Sequence, residues 1–97
     1  MPRANRIITF TATNANEWYK AFDSADYKGE RIREVRIKQR ETNTADHFRY
    51  KYVDSAAHDQ PYMTATAGIV TVRDITKLYV YFASVSSQVL EIEILYK

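Results

Sequence analysis

The last third of the chain alternates apolar side chains with other residues at every second position. Two runs show the pattern, residues 78–83 (LYVYFA) and residues 89–96 (VLEIEILY), and the polar connection 84–88 separates them. Successive side chains of a β-strand point to opposite faces of a sheet, so a period of two is typical of strands rather than helices. The chain is therefore predicted to close on a long antiparallel hairpin.

The same period recurs earlier in the chain. Five further segments are predicted as strands on this basis: residues 6–13, 32–40, 47–53, 62–67 and 69–73. Residues 17–22 fit either a strand or one helical turn, and the pattern leaves both open. Gly68 interrupts two strand segments, which indicates a bulge, a corner or a strand that changes sheets. No amphipathic helix is predicted anywhere.

These segments predict an all-β fold. About eight short strands, spaced roughly ten residues apart, are typical of a β-sandwich or a small barrel. The 97 residues suffice for one domain with two antiparallel sheets of about four strands each. We expect a single antiparallel β-sandwich with a jelly-roll-like path over residues 6–97, preceded by a short basic arm, residues 1–5.

Composition excludes several kinds of chemistry. The chain has no cysteine, so disulfides and thiolate metal sites are excluded, and two glycines are too few for a phosphate-binding loop. Two His–Asp neighbours, at residues 46–47 and 58–59, fall in or beside predicted loops, where both residue types are common in turns. Glu91 and Glu93 are interpreted as part of a solvated strand face. We expect no metal, no cofactor and no enzymatic activity.

Membrane and secretory signals are not predicted either. No apolar run approaches the length that crosses a bilayer, and the N-terminal residues lack the apolar stretch of a secretory signal. The sequence therefore predicts a protein that has no membrane as a partner.

Tyrosines on the outer face of one strand form the first candidate contact surface. If Leu78, Val80 and Phe82 fill the core, then Tyr79 and Tyr81 lie on the other face. Exposed aromatic side chains in a row usually mark a contact with another protein. The alternative is that neighbouring segments cover them.

Basic residues form the second candidate surface. In the strand at residues 32–40, Arg36, Lys38 and Arg40 point away from the apolar side. The arm adds Arg3, and Arg6 opens the strand that follows it. Residues 1–40 carry nine Lys and Arg against five Asp and Glu, and an uneven charge of this kind can orient a protein on its partner. A solvated strand face is the alternative interpretation.

Aromatic residues of the sequence also raise two other ligand classes, nucleic acids and sugars. Residues 47–52 (HFRYKY) interleave rings with cations, as single-stranded nucleic-acid binders do, but alternation turns Phe48, Tyr50 and Tyr52 toward the core and Arg49 and Lys51 outward. Nucleic acid is therefore not the expected partner. A sugar-stacking platform is a second possibility, and it would be built from residues 18–19 and 62, with a core role for the tryptophan as the alternative.

The tail of the chain resembles small structural proteins of tailed bacteriophages. The segments that carry the resemblance are residues 62–68 (YMTATAG), 78–84 (LYVYFAS) and 90–96 (LEIEILY). The early Trp18 and the charged strand at residues 32–40 fit the same layout. The resemblance covers about two thirds of the chain and concerns strands rather than individual site residues.

The resemblance implies a virion component with a β-sandwich fold. The expected function is that of a non-enzymatic decoration, or cement, protein that binds a phage major capsid protein or another virion protein and stabilises the shell. We expect homo-oligomers, synthesis in the host cytoplasm and a final location on the capsid surface. A head or tail fibre or appendage module and a carbohydrate-binding adhesin module are the alternatives.

Overall fold

The structure, a computed structural model, describes residues 5–41, 47–52, 61–65, 68–73 and 76–97. Over these residues the chain is built almost entirely from strands, as the sequence predicts, together with one short 3₁₀-helix at Ser24–Tyr27. The strands are β1 (Arg6–Ala12), β2 (Tyr19–Asp23), β3 (Ile32–Gln39), β4 (Arg49–Lys51), β5 (Met63–Thr64), β6 (Ile69–Arg73), β7 (Lys77–Tyr81) and β8 (Gln88–Tyr96). The segment at residues 17–22, which the sequence left open, contributes a strand.

The strands form two four-stranded antiparallel sheets. The first sheet has the order β1-β8-β3-β6, and the second has the order β2-β7-β4-β5. The chain changes sheet at every connection except the one between β4 and β5. Gly68 lies where the chain passes from β5 in the second sheet to β6 in the first, so of the three roles predicted for it the change of sheet is the one observed.

The predicted terminal hairpin is wrong. Strands β7 and β8 have the expected alternation, but they belong to different sheets and do not pair with each other. Each instead lies inside its own sheet, where β7 pairs with β2 and β4 and β8 pairs with β1 and β3. Alternation shows which side of a strand is apolar, and it does not show which strand is its neighbour.

Side chains from both sheets form one buried core. The first sheet contributes Val35, Ile37, Leu90, Ile92 and Ile94, and the second contributes Phe48, Leu78, Val80 and Phe82, all with no solvent exposure. The two sheets therefore pack face to face, which is the arrangement of a β-sandwich. Burial of each of these side chains contributes about 1.5–3 kcal/mol, so the facing layers provide most of the stability.

One buried polar side chain fixes the place where β3 leaves the first sheet. Gln39 is fully buried, its side-chain oxygen accepts a hydrogen bond from the Phe48 N–H at 3.3 Å, and its amide donates to the Glu41 carbonyl at 2.8 Å. Gly68 packs against it with a φ of 74°, and a Cβ there would lie 3.0 Å from Gln39 Oε1. Glycine is thus required for two reasons, its backbone conformation and its lack of a side chain.

Replacement of Gly68 is expected to destabilise the fold more than the same change at Gly29. Gly29 also has a positive φ, 82°, but a Cβ there would meet nothing within 4 Å. Gly29→Ala should therefore cost only the left-handed strain, about 1 kcal/mol. Gly68→Ala adds overpacking against Gln39, for a further loss of about 1–3 kcal/mol. Urea denaturation of both variants measures the difference, and equal losses would contradict the role assigned to the Gly68 contact.

Candidate interaction surface

Tyr79 and Tyr81 do not form an exposed row. They lie on the face of β7 opposite the core residues, as predicted, but their exposed fractions are only 7% and 5%. The expectation that these two rings form an accessible contact surface is therefore wrong.

Side chains from neighbouring segments cover the two tyrosines. Strand β4 pairs with β7 so that Arg49 lies opposite Tyr81 and Lys51 lies opposite Tyr79. The Arg49 guanidinium carbon lies 5.4 Å from the centroid of the Tyr81 ring. The ring of Trp18, which lies just before β2, is 5.0 Å from the Tyr81 ring between centroids. Long basic side chains cover apolar surface with their stems, which explains how alternation on β4 conceals the tyrosines of β7.

The covering residues form a connected cluster on the outer face of the second sheet. We refer to Trp18, Arg49, Lys51, Tyr62 and Tyr81 as the cation–aromatic cluster. Lys51 Nζ lies 4.2 Å from the centroid of the Trp18 ring, and the Arg49 guanidinium carbon lies 5.1 Å from that of Tyr62. Contacts of a cation over a ring contribute about 0.5–1 kcal/mol each at exposed sites and more when desolvated. These contacts therefore favour one arrangement of the side chains.

A hydrogen bond fixes the cluster to the turn that precedes β2. The Tyr81 hydroxyl donates to Asn16 Oδ1 at 2.8 Å, and Asn16 itself has a left-handed φ of 60°. The indole nitrogen of Trp18 is buried, with no hydrogen-bond partner among the described residues. The aromatic part of Trp18 is thus packed between Tyr81, Lys51 and Tyr62.

Exposed apolar side chains lie beside the cluster at the edge of the second sheet. Tyr52, Tyr62 and Met63, which we call the exposed patch, are 55%, 42% and 63% exposed. Together with Tyr50, Lys51 and Pro61 they line a shallow, mostly apolar depression of about 280 Å³. The sequence predicted that Tyr52 would face the core, and this is wrong because β4 ends at Lys51, so the alternation of the strand does not extend to residue 52.

Two titratable groups near the outer face of the second sheet, Lys20 and Tyr52, have raised pKa values. The hydrogen bond that Lys20 donates to Asp23 raises the pKa of Lys20, so this outward-facing side chain of β2 stays cationic. Partial burial beside Tyr50 raises the pKa of the Tyr52 hydroxyl, which therefore stays neutral at physiological pH. The outer face of the second sheet thus presents neutral rings together with the exposed Lys20 and the partly exposed Arg49, whereas Lys51 is buried.

The predicted basic residues of β3 lie on the opposite side of the molecule. Arg36, Lys38 and Arg40 are exposed on the outer face of the first sheet, where the register places the acidic residues of β8 next to them. Arg36 lies 3.8 Å from Glu93, and Arg40 lies 3.3 Å from Glu91. The face is therefore mixed in charge rather than basic, and it cannot share one contact with Tyr79 and Tyr81.

The remaining predicted residues lie apart from both faces. Arg6 is half-exposed at the start of β1, with its guanidinium 3.7 Å from Glu30 and 5.2 Å from the centroid of the Tyr27 ring. Its interaction with the Tyr96 hydroxyl raises the pKa of Arg6, which stays charged. Arg3 and the rest of the arm through residue 4 lie outside the described residues.

The sugar-platform residues are brought together only in part. The ring centroids of Trp18 and Tyr62 lie 6.0 Å apart, at an angle of 59°. Tyr19 instead packs against Phe10 in the partly buried margin of the core, at 5.9 Å between ring centroids. Met63 was not predicted as a surface residue, because its exposure follows from the position of β5 at the sheet edge and not from the sequence pattern.

Over the described residues, no group of three or more His, Cys, Asp and Glu side chains converges on a point where a metal ion could bind. His47 is described, whereas Asp46, His58 and Asp59 lie outside the described residues. The helical part of the described chain includes nothing long and apolar enough to span a bilayer.

Comparisons with protein-family models, with curated proteins and with solved structures found no match to this chain.

Replacement of a buried tyrosine is expected to cost much more stability than replacement of an exposed one in the same cluster. Tyr81→Ser removes a buried ring and its hydrogen bond to Asn16, for a loss of about 3 kcal/mol or more in the free energy of unfolding. Tyr62→Ser removes a ring that is 42% exposed, so less buried apolar surface is lost and the expected loss is smaller, about 1 kcal/mol. Thermal and urea denaturation measure both, and a Tyr81→Ser variant as stable as Tyr62→Ser would contradict the packing described here.

Proposed function

We propose that this protein is a non-enzymatic structural component of a tailed-bacteriophage virion that binds the capsid surface and stabilises the shell. Its partner in this proposal is the major capsid protein or another virion protein. The protein would be made in the host cytoplasm and would remain on the assembled capsid. A head or tail appendage module would use the same kind of adhesion at another location.

Strand pairing supports this proposal, together with a jelly-roll path for the chain. The pairs β1–β8, β2–β7, β3–β6 and β4–β5 are all present. Each strand thus pairs with the one equally distant from the other end of the series, as when one long antiparallel ribbon is rolled into two sheets. Eight-stranded jelly rolls are used by viral capsid domains and by lectin domains. This pairing is the observation that carries the proposal.

The exposed patch has the composition of a protein contact. Tyrosine, tryptophan, arginine and methionine are enriched at the centres of interfaces, and the patch and the adjoining cation–aromatic cluster consist of these residue types apart from the buried Lys51. The cluster holds Tyr62 between Trp18 and Arg49, so little side-chain freedom is lost on binding. Many copies on one shell would make weak single contacts sufficient, because multivalent attachment multiplies affinity.

A double variant of the exposed patch tests the proposal. Co-sedimentation with purified capsids of the phage that encodes the protein is expected to recover the wild type and to lose Tyr62→Ser/Met63→Ser, with affinity weaker by about tenfold or more. Ile69→Ser is the matched control, because Ile69 is 49% exposed on the outer face of the other sheet. Wild-type protein that ignores capsids would refute the virion function. A double variant that binds as well as Ile69→Ser would refute the assigned surface.

Carbohydrate binding is a second candidate because Trp18 and Tyr62 lie together beside an apolar depression. Aromatic rings bind the apolar faces of sugars, and lectins also use jelly rolls. A glycan that stacks on Tyr62 would change the fluorescence of the neighbouring Trp18. Titration against a glycan panel measures this change. A flat response across the panel would refute carbohydrate binding, and intact capsid binding would then leave the virion role as the remaining candidate.

A further inference from the structure

Strand β1 is an unusually open sheet edge. The four outermost strands of the two sheets are β1, β6, β2 and β5, and β1 is the longest of them with seven residues. Its register with β8 runs without a shift from Arg6 to Ala12, and residues 7–12 (IITFTA) carry no charge and no proline. A long, regular, uncharged edge presents unpaired N–H and C=O groups that can pair with another strand.

The other three edges carry features that hinder strand addition. Strand β2 has a register shift between Lys20 and Phe22 and carries the Lys20–Asp23 ion pair. Strand β5 is only two residues long, and β6 is five residues long and ends in a charged residue. Short strands, bulges and charges are the means by which proteins protect sheet edges, so β1 is the exception within the described part of the fold.

Core-facing side chains of β1 are also incompletely covered. Ile8 and Phe10 point toward the core but remain partly exposed, whereas their partners on β8, Ile92 and Leu90, are fully buried. The open side of the sandwich thus leaves apolar surface in contact with water next to the unpaired backbone. A strand added at this edge would cover both.

We propose that β1 pairs antiparallel with β1 of a second copy of this chain, about a two-fold axis that passes through Thr9. The two first sheets would then join into one eight-stranded sheet with an isologous interface. This register places Thr9 opposite Thr9, Ile8 opposite Phe10 and Ile7 opposite Thr11 of the other copy. Pairs of this kind, threonine with threonine and an aromatic with a β-branched residue, stabilise neighbouring strands.

A second copy fits this edge because the pairing keeps apolar side chains on the core side and separates the charged residues. Residues that pair across the axis differ in number by an even amount, so outward-facing residues meet outward-facing ones and Ile8 and Phe10 stay on the core side. The one charged residue of β1, Arg6, falls opposite Ala12, which keeps the two arginines at opposite ends of the interface. The interface lies away from the exposed patch, so the inference does not depend on the proposed function.

A single charge at the axis tests the pairing. Thr9→Lys places two lysines directly opposite each other, and like charges in that position are destabilising. We expect the wild type to dimerise in a concentration-dependent manner in analytical ultracentrifugation. The Thr9→Lys variant should have a dissociation constant higher by about tenfold or more. Thr71→Glu is the control, because Thr71 is an exposed threonine at the other edge of the same sheet. The new carboxylate lies opposite Arg36, as a lysine at position 9 lies opposite Glu91, so neither variant opposes like charges within the chain and Thr71→Glu should dimerise as the wild type does.

Opposite charges should restore the dimer. Thr9→Glu alone is expected to be monomeric, and an equimolar mixture of Thr9→Lys and Thr9→Glu should dimerise, because each lysine then faces a glutamate. Circular dichroism verifies that each variant is folded. A wild type that stays monomeric at all concentrations would overturn the proposal. So would a Thr9→Lys protein that dimerises as tightly as Thr71→Glu, or a mixture that remains monomeric.

Amide hydrogen exchange provides an independent readout in the wild type. The amides of β1 that point away from β8 should become protected as the protein concentration rises, while those at the free edge of β6 should not. Protection that appears on β6 instead would place the interface at the wrong edge and overturn the proposal.

Discussion

The packing of the two inner sheet faces is the interaction on which the rest of the structure depends. Residues such as Val35, Ile92 and Phe82 are fully excluded from water because each sheet covers the other. Neither sheet could bury its apolar side alone, so the chain repeatedly passes from one sheet to the other. This requirement explains why the last two strands separate: their apolar faces stabilise the fold by meeting across the core, not by lying side by side.

A second organising feature is that basic and aromatic side chains cover the outward-facing tyrosines of the second sheet. A strand with apolar residues on both faces would normally expose one of them, yet Tyr81 is covered by Trp18 and Arg49. The cover leaves the accessible aromatic surface at Tyr52, Tyr62 and Met63, next to the sheet edge. The contact surface in the proposed function therefore lies at the exposed patch near β5 and not on β7, although both belong to the same sheet.

The two outer faces differ in what they offer a partner. On the first sheet, basic residues at β3 lie next to acidic residues of β8: Arg36 pairs with Glu93 and Arg40 with Glu91. The charges are therefore largely compensated within the chain. Exposed ion pairs of this kind contribute little to stability or affinity. The second sheet presents fixed rings and basic side chains, which favours a specific contact. The proposed self-association at β1 and the proposed partner contact at the exposed patch lie on different sheets and would not compete.

The sequence by itself determined most of the strands and, within β3, β7 and β8, which side faces the core. The alternation on β3 placed Val35 and Ile37 inside and Arg36 and Lys38 outside, and the structure confirms this because a pleated strand leaves no other choice. Only the tertiary structure decided which strands are neighbours, and hence that Lys51 and Arg49 cover the tyrosines and that Tyr52 is exposed. Pairing depends on contacts between residues far apart in the chain, and a local period of two carries no record of them.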